Sequence, residues 1–279
     1  MPITKLPFAQ RFARLCDDGF QQGWHERNGG NLTYRLTPNE QRDVLLLLDT
    51  TPGPWIPLTV TAPSFAGSLF MATGTGCFMR NMLEDLEGNA GIVEIGREGA
   101  SYRVRWGLKH TGKPTSEFES HLLNQAVRCR HDNNVTRVCY HMHGPGSIAM
   151  SFIVPLHDRA FTRRLWSMMT ECVVVFPEGV GVVPWMVPGG SAIANATSHK
   201  MDVYRVAVWA HHGIFATGAN FDETFGLAHT VEKASQLYLS ARAANGGSEK
   251  FLNSIDDSGL VDTCRDFGIS INADMLSHQ

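Results

Sequence analysis

The run Arg137-Val138-Cys139-Tyr140-His141-Met142-His143, followed at once by Gly144-Pro145-Gly146, leaves the chain few ways to fold around it. Its β-branched and aromatic composition predicts a short strand, and side chains on a strand alternate between faces. His141 and His143 then present two imidazoles on one face, a spacing that suits two ligands of one divalent metal. The glycines and proline must end the strand, which places the pair at the lip of an element, within reach of a small molecule. Two unrelated histidines, one buried and one exposed, account for a lone His-x-His equally well.

A chain of 279 residues can bury one large core or two modest ones. With 43% hydrophobic and 18% charged residues it reads as globular rather than disordered. A net charge of -3 and the lack of any basic block give no footprint for nucleic acid, so a small molecule is the expected partner. No apolar run reaches the roughly eighteen residues that a membrane span needs. Residues 1–20 carry Arg11, Arg14, Asp17 and Asp18 among apolar residues at helical spacing, an amphipathic first helix rather than a signal peptide. The six cysteines (Cys16, Cys77, Cys129, Cys139, Cys172, Cys264) are scattered, which fits reduced thiols in a cytoplasmic protein.

In chain order, a helix is expected from Leu6 to about Gly23, then a turn at Asn28-Gly29-Gly30-Asn31 and a strand in which Leu32, Tyr34 and Leu36 alternate. Such a turn, rich in amides and exposed N–H groups, is a plain turn or an anion cradle. Val44 to Leu48 reads as a strand, Thr51 to Pro63 as loop, and Ser68 to Thr73 as a strand. The last leads into Thr73-Gly74-Thr75-Gly76-Cys77, where glycines permit close approach and hydroxyls can donate to phosphate; no nucleotide-loop lysine accompanies it. Gly91 to Glu94 and Ser101 to Trp106 read as paired strands.

Lys113-Pro114-Thr115-Ser116-Glu117-Phe118-Glu119 opens a helix, with Ser116 and Glu119 spaced as a capping box and Phe118, Leu122, Leu123, Ala126 and Val127 on one apolar face. Glu117 has a local explanation in the helix dipole, and Thr115 and Ser116 can be caps or ligand donors. Helices are expected over 147–152, 158–170 and 191–200, and strands over 171–176, 180–185 and 203–210. The last strand delivers a third imidazole at His211-His212-Gly213, and Asp222 can cap a long helix ending near Gly246-Gly247. The loose alternation of strands and helices, without repeats, indicates an α/β or α+β chain of one domain spanning residues 1–279.

Four stretches, Glu26-Arg27-Asn28-Gly29-Gly30-Asn31-Leu32-Thr33, Thr73-Gly74-Thr75-Gly76, Pro114-Thr115-Ser116-Glu117, and His141-Met142-His143 with His212-Gly213, resemble in order and spacing the class II sugar-phosphate aldolases. Leu165-Trp166, Thr170-Glu171-Cys172, Val174-Val175-Phe176-Pro177, Pro184-Trp185-Met186-Val187-Pro188-Gly189 and Asp222-Glu223-Thr224-Phe225-Gly226-Leu227 extend the resemblance to nearly the whole chain. Gly144-Pro145-Gly146, Gly190-Ser191 and Cys77 depart from the pattern.

The resemblance implies a central, mostly antiparallel sheet flanked by helices, of the aldolase, epimerase and adducin-head type. It implies one Zn2+ per subunit on His141, His143 and His212, with His211 a neighbour, and Glu117 as the catalytic carboxylate. It implies a phosphate cradle from Asn28, Gly29, Asn31, Gly74, Thr75, Thr115 and Ser116. It also implies a cyclic homotetramer, in which Glu171 reaches the active site of an adjacent subunit. The reaction implied is reversible cleavage of a ketose 1-phosphate through a metal-stabilised enediolate, with no Schiff-base lysine in any of the four stretches. Keeping all three histidines and Glu117 argues against a metal-free scaffold on the same fold.

Overall fold

Pro7 in the first turn and Gly23 at positive φ just past the end frame the helix α1 (Pro7–Gln21), as the amphipathic N-terminus predicts. The computed structural model describes residues 1–276, whose backbone packs as two compact units, each assembled from separate stretches of chain. The first unit comprises Met1–His143, Val187–Ser198 and Thr217–Thr224. After α1 it contains β1 (Asn31–Arg35), α2 (Pro38–Val44), β2 (Ile56–Pro57), β3 (Leu69–Thr73), α3 (Leu86–Asn89), β4 (Ala90–Ile95), β5 (Ser101–Gly107), α4 (Phe118–His131) and β6 (Val138–Met142). These strands lie in the order β2-β5-β4-β3-β1-β6, and every neighbouring pair is antiparallel.

Both faces of this sheet are covered, so β3 reads as the unbroken apolar run Leu69-Phe70-Met71-Ala72. On one face Phe118 and Leu122 of α4 pack with Phe70, Val93, Ile95 and Tyr102; the Phe118 ring meets Phe70 edge-on at 6.2 Å and Tyr102 at 5.6 Å. On the other, Phe8 of α1 stacks on Tyr34 at 6.1 Å, and Phe221 lies 4.7 Å from the same ring.

Strand β1 faces α4 with polar rather than apolar side chains. Asn31 bonds Glu117, Thr33 bonds His121 and Gln125, and Arg35 bonds Cys129. Two residues of strand advance about 6.8 Å and four residues of helix about 6 Å, so a strand read in twos matches a helix read in fours.

The second unit comprises Gly144–Met186, His199–Ala216 and the chain from Phe225 onward. Its elements are α5 (Pro145–Met150), α6 (Asp158–Trp166), α7 (Thr170–Val175), β7 (Gly181–Val183), α8 (Ser191–Met201), β8 (Val206–Trp209), β9 (Gly213–Gly218), α9 (Phe221–Ala244) and α10 (Asp257–Asp266), of which α8, β9 and α9 run partly in the first unit. β8 pairs parallel with β7 and antiparallel with β9.

Glycines 144 and 146 make room for the buried carboxylate of Glu232. A Cβ on Gly144 would lie 2.3 Å from Glu232 Oε2, and Glu232 accepts the N–H groups of Gly146 at 2.6 Å and Ser147 at 2.9 Å. The carboxylate thus satisfies the first turn of α5.

Four local expectations are corrected. Val44 to Leu48 is no strand: Thr37 and Glu40 form a reciprocal capping box with Pro38 in the first turn, and the α2 helix they start leaves Leu45 and Leu46 exposed. Residues 171–176 are helical despite their valines, because Cys172, Val173 and Phe176 bury one face at helical spacing. Ser116 and Glu119 do not form a capping box; Glu117 is the N-cap residue of α4, and Glu119 instead accepts from the backbone and hydroxyl of Thr59. The side chain at the start of α9 that accepts a first-turn N–H is Asn220, from Glu223, in place of Asp222. All six cysteines are free thiols, and among the described residues no helix is long and apolar enough to cross a membrane.

Leu122 is fully buried in the cluster between α4 and the sheet. Leu122→Ala should lower unfolding free energy by about 2–5 kcal/mol, read as a reduced urea midpoint at unchanged slope.

Candidate active site

The two histidines of β6 are differently held. His141, fully buried, pairs in register with Asn31 of β1, and His143 lies just past the strand end with its N–H bonded to the Trp24 carbonyl. Their rings meet edge-on at 5.0 Å. Glu26 Oε1 accepts from His143 Nδ1 at 2.7 Å, so the ring's lone pair is on Nε2. Glu26 was not among the expected site residues, and nothing in its sequence position separates it from an ordinary turn carboxylate.

His212 sits in the turn between β8 and β9, its N–H bonded to the Trp209 carbonyl and its ring 5.2 Å from the indole. The preceding His211, at φ 62°, turns to Ser151, which accepts its N–H at 2.9 Å. His141 and His143 thus bring two imidazoles together within the first unit, one of them oriented by a carboxylate, a pair that suits two ligands of one divalent ion.

Glu117 ends the loop before α4 and is buried, with Oε2 3.7 Å from His141 Nε2. Asn31 Nδ2 donates to the same oxygen at 2.8 Å. Burial pushes the Glu117 carboxyl above its usual range, while the Asn31 bond and the nearby His143 imidazole pull it down. Asn31, expected in the phosphate cradle, therefore spends its amide on Glu117 and, through Oδ1, on His121.

Thr75, Thr115 and Ser116 line one cavity of about 350 Å3, together with Lys113 and the Gly189–Ser191 stretch. The backbone builds this wall by pairing residues 73–75 with 113–115: Thr115 N–H donates to the Thr73 carbonyl at 2.8 Å and Thr75 N–H to that of Lys113 at 3.2 Å. Gly74 is demanded by packing, since a Cβ there would meet Cys77 Sγ at 2.7 Å. Asn28 and Gly29 are not part of that wall; Asn28 is exposed, and a Cβ on Gly29 would strike the His143 ring at 2.7 Å. Glu171 stands exposed on the first turn of α7.

The turn carrying Asn28 and Gly29 is braced by His25. Its Nδ1–H donates to the Gly29 carbonyl at 3.1 Å, so its bare Nε2 accepts from the Tyr140 hydroxyl at 2.7 Å. Burial, with the His143 imidazole nearby, pushes His25 down to about 4, and burial pushes His121 down to about 3. Both rings stay neutral in the folded chain at pH values where an unfolded histidine, with a pKa of about 6.5, takes up a proton. Their contribution to stability is complete above about pH 6.5 and is lost as pH falls, down to about 4 for His25 and about 3 for His121. The urea midpoint should therefore fall between about pH 7.5 and 4.5, and His25→Phe, with no proton to gain, should flatten the decline.

Comparison with known proteins agrees with this arrangement. The family described as class II aldolase and adducin N-terminal domain matches residues 10–239. A rhamnulose-1-phosphate aldolase of Escherichia coli O157:H7 (strain EC4115 / EHEC) is 38% identical over 277 residues, covering 99% of this chain and 98% of the relative. One from Listeria monocytogenes serovar 1/2a is 38% identical over 279 residues, covering 99% and 98%. The crystal structure of a sugar-phosphate aldolase from Thermotoga maritima shares the fold, with a TM-score of 0.67 at 23% identity over 87% of this chain and 97% of that one. With the match running through both units and with relatives of this identity along its full length, the chain belongs to the class II aldolase and adducin N-terminal domain family.

Proposed function

We propose that the chain is a zinc-dependent aldolase that cleaves L-rhamnulose 1-phosphate reversibly to dihydroxyacetone phosphate and L-lactaldehyde. The observation that carries the reading is the buried Glu117 carboxylate 3.7 Å from His141, whose ring meets that of His143 at 5.0 Å. The substrate follows from the relatives, which are rhamnulose-1-phosphate aldolases along their whole length.

His141, His143 and His212 are the residues that would hold the zinc. When bound, the ion supplies a double positive charge that polarises the ketose oxygens and lowers the cost of negative charge beside the carbonyl. Glu117 takes the proton from C3 in the synthetic direction and returns it in cleavage; burial raises its affinity for that proton. Thr75, Thr115 and Ser116 offer hydroxyl donors to the phosphate, and this remote binding fixes the reacting carbon over the carboxylate. Asn28 and Gly29 complete the cradle from the other turn. Glu171 of an adjacent copy in a homotetramer, or a water, exchanges the proton of the C4 hydroxyl. The assembly works in the cytoplasm, where its six thiols stay reduced.

Zinc-loaded protein should release dihydroxyacetone phosphate from L-rhamnulose 1-phosphate, lose the activity on chelation and regain it with zinc. L-fuculose 1-phosphate run alongside decides between the two ketoses: faster cleavage of it would replace the substrate and leave the chemistry. Glu117→Gln should retain zinc and lose about a hundredfold or more in turnover, whereas His143→Ala should lose zinc. Near-wild-type turnover in Glu117→Gln would remove that residue from the base role.

A further inference from the structure

Behind Glu117 a chain of four buried side chains runs away from the site. Asn31 Nδ2 donates to Glu117 Oε2 at 2.8 Å; Asn31 Oδ1 meets His121 Nε2; His121 Nδ1 lies 2.9 Å from Thr33 Oγ1; and Gln125 Nε2 donates to Thr33 Oγ1 at 2.8 Å. Every member is buried, and His121 is completely so. None of the roles assigned so far uses His121, Thr33 or Gln125.

The direction of each bond follows from the Asn31 amide. Asn31 Nδ2 donates to Glu117 Oε2, so its carbonyl oxygen points away. That oxygen needs a donor, which is the Nε2–H of His121. With the proton on Nε2, His121 Nδ1 takes the Thr33 hydroxyl proton, and Thr33 Oγ1 in turn takes an N–H from Gln125. The Cys139 carbonyl is a further acceptor for the ring.

We propose that His121 is a positioning residue for the aldol chemistry: acting through Asn31, it holds the amide that aims Glu117. Gly29 and Gly30 do the corresponding work on the histidine side by letting the preceding turn close against His25 and His143, but they fix a backbone, whereas His121 fixes the direction of a dipole. The inference rests on Glu117 as the base, so wild-type cleavage and its loss in Glu117→Gln come first; absence of either would remove that reading and leave the chain to be judged by its tautomer alone.

The test has two parts. In 15N-histidine-labelled protein, His121 should show a proton on Nε2 and none on Nδ1, a readout independent of activity; a proton on Nδ1 would overturn the proposal. In zinc-loaded enzyme, His121→Phe should lower kcat by roughly ten- to a hundredfold with KM for the ketose phosphate and zinc content unchanged. His121→Gln, whose Nε2–H can reach the same oxygen, should restore most of the loss. In an Asn31→Ala background, His121→Phe should add almost nothing further, because the two act as one unit. Equal losses in both backgrounds, or a fall in KM, zinc content and kcat together, would show a merely structural histidine and overturn the proposal.

Discussion

The polar seam between β1 and α4 is the interaction on which the first unit's chemistry depends. A strand face of Asn31, Thr33 and Arg35 packed on a helix would normally be costly, since each buried polar group must find a partner. Here the two repeats run in step, and Glu117, His121, Gln125 and Cys129 present themselves at four-residue intervals to meet them. The seam holds because its neighbours are apolar: Phe118 and Leu122, one position on from Glu117 and His121, are buried against β3, β4 and β5. Shifting β1 by a single residue would swap Asn31 and Thr33 for Leu32 and Tyr34 and break every bond at once. Register and the placement of Glu117 are therefore the same constraint.

Crowding does a comparable job where the chain turns from α1 into β1. Gly30 has φ 75°, and a Cβ there would lie 2.2 Å from His25 Nδ1 and 2.8 Å from the His141 carbonyl. Gly29 is pressed in the same way against His143 and Glu26. A turn that composition alone describes as loose is thus closed against His143 and the strand that carries His141, and its glycines are needed for approach as much as for backbone conformation. On the far side of His143, Gly144 and Gly146 repeat the device against Glu232.

How much of this could be read beforehand depended on whether the signal was local. The alternation in Leu32, Tyr34 and Leu36 and the two-residue spacing of His141 and His143 are local, and both survive in the structure. Val44–Leu48 and residues 171–176 misled because apolar and β-branched runs look alike in strands and in short helices, and a Thr37–Glu40 cap or a buried helical face decides between them. His121 lay in plain sight at four residues from both Glu117 and Gln125. The apolar positions beside it account for the helix without it, and only the facing strand reveals that α4 is buried along two stripes. Glu26 and the spending of Asn31 on Glu117 needed three dimensions outright.

Burial and charge set opposite demands on Glu117, and the seam reconciles them. A carboxylate buried this far resists ionisation, which favours a group that holds a proton but disfavours one that must first take it. The nearby His143 imidazole favours the ionised form, and Glu117 Oε2 lies 3.7 Å from His141. An N–H from Asn31 supports the negative charge without offering a competing positive centre, and because Asn31 is itself gripped by His121, the carboxylate is tied back toward the helix. The same hydrogen bond that makes the charge affordable therefore also keeps it at a working distance.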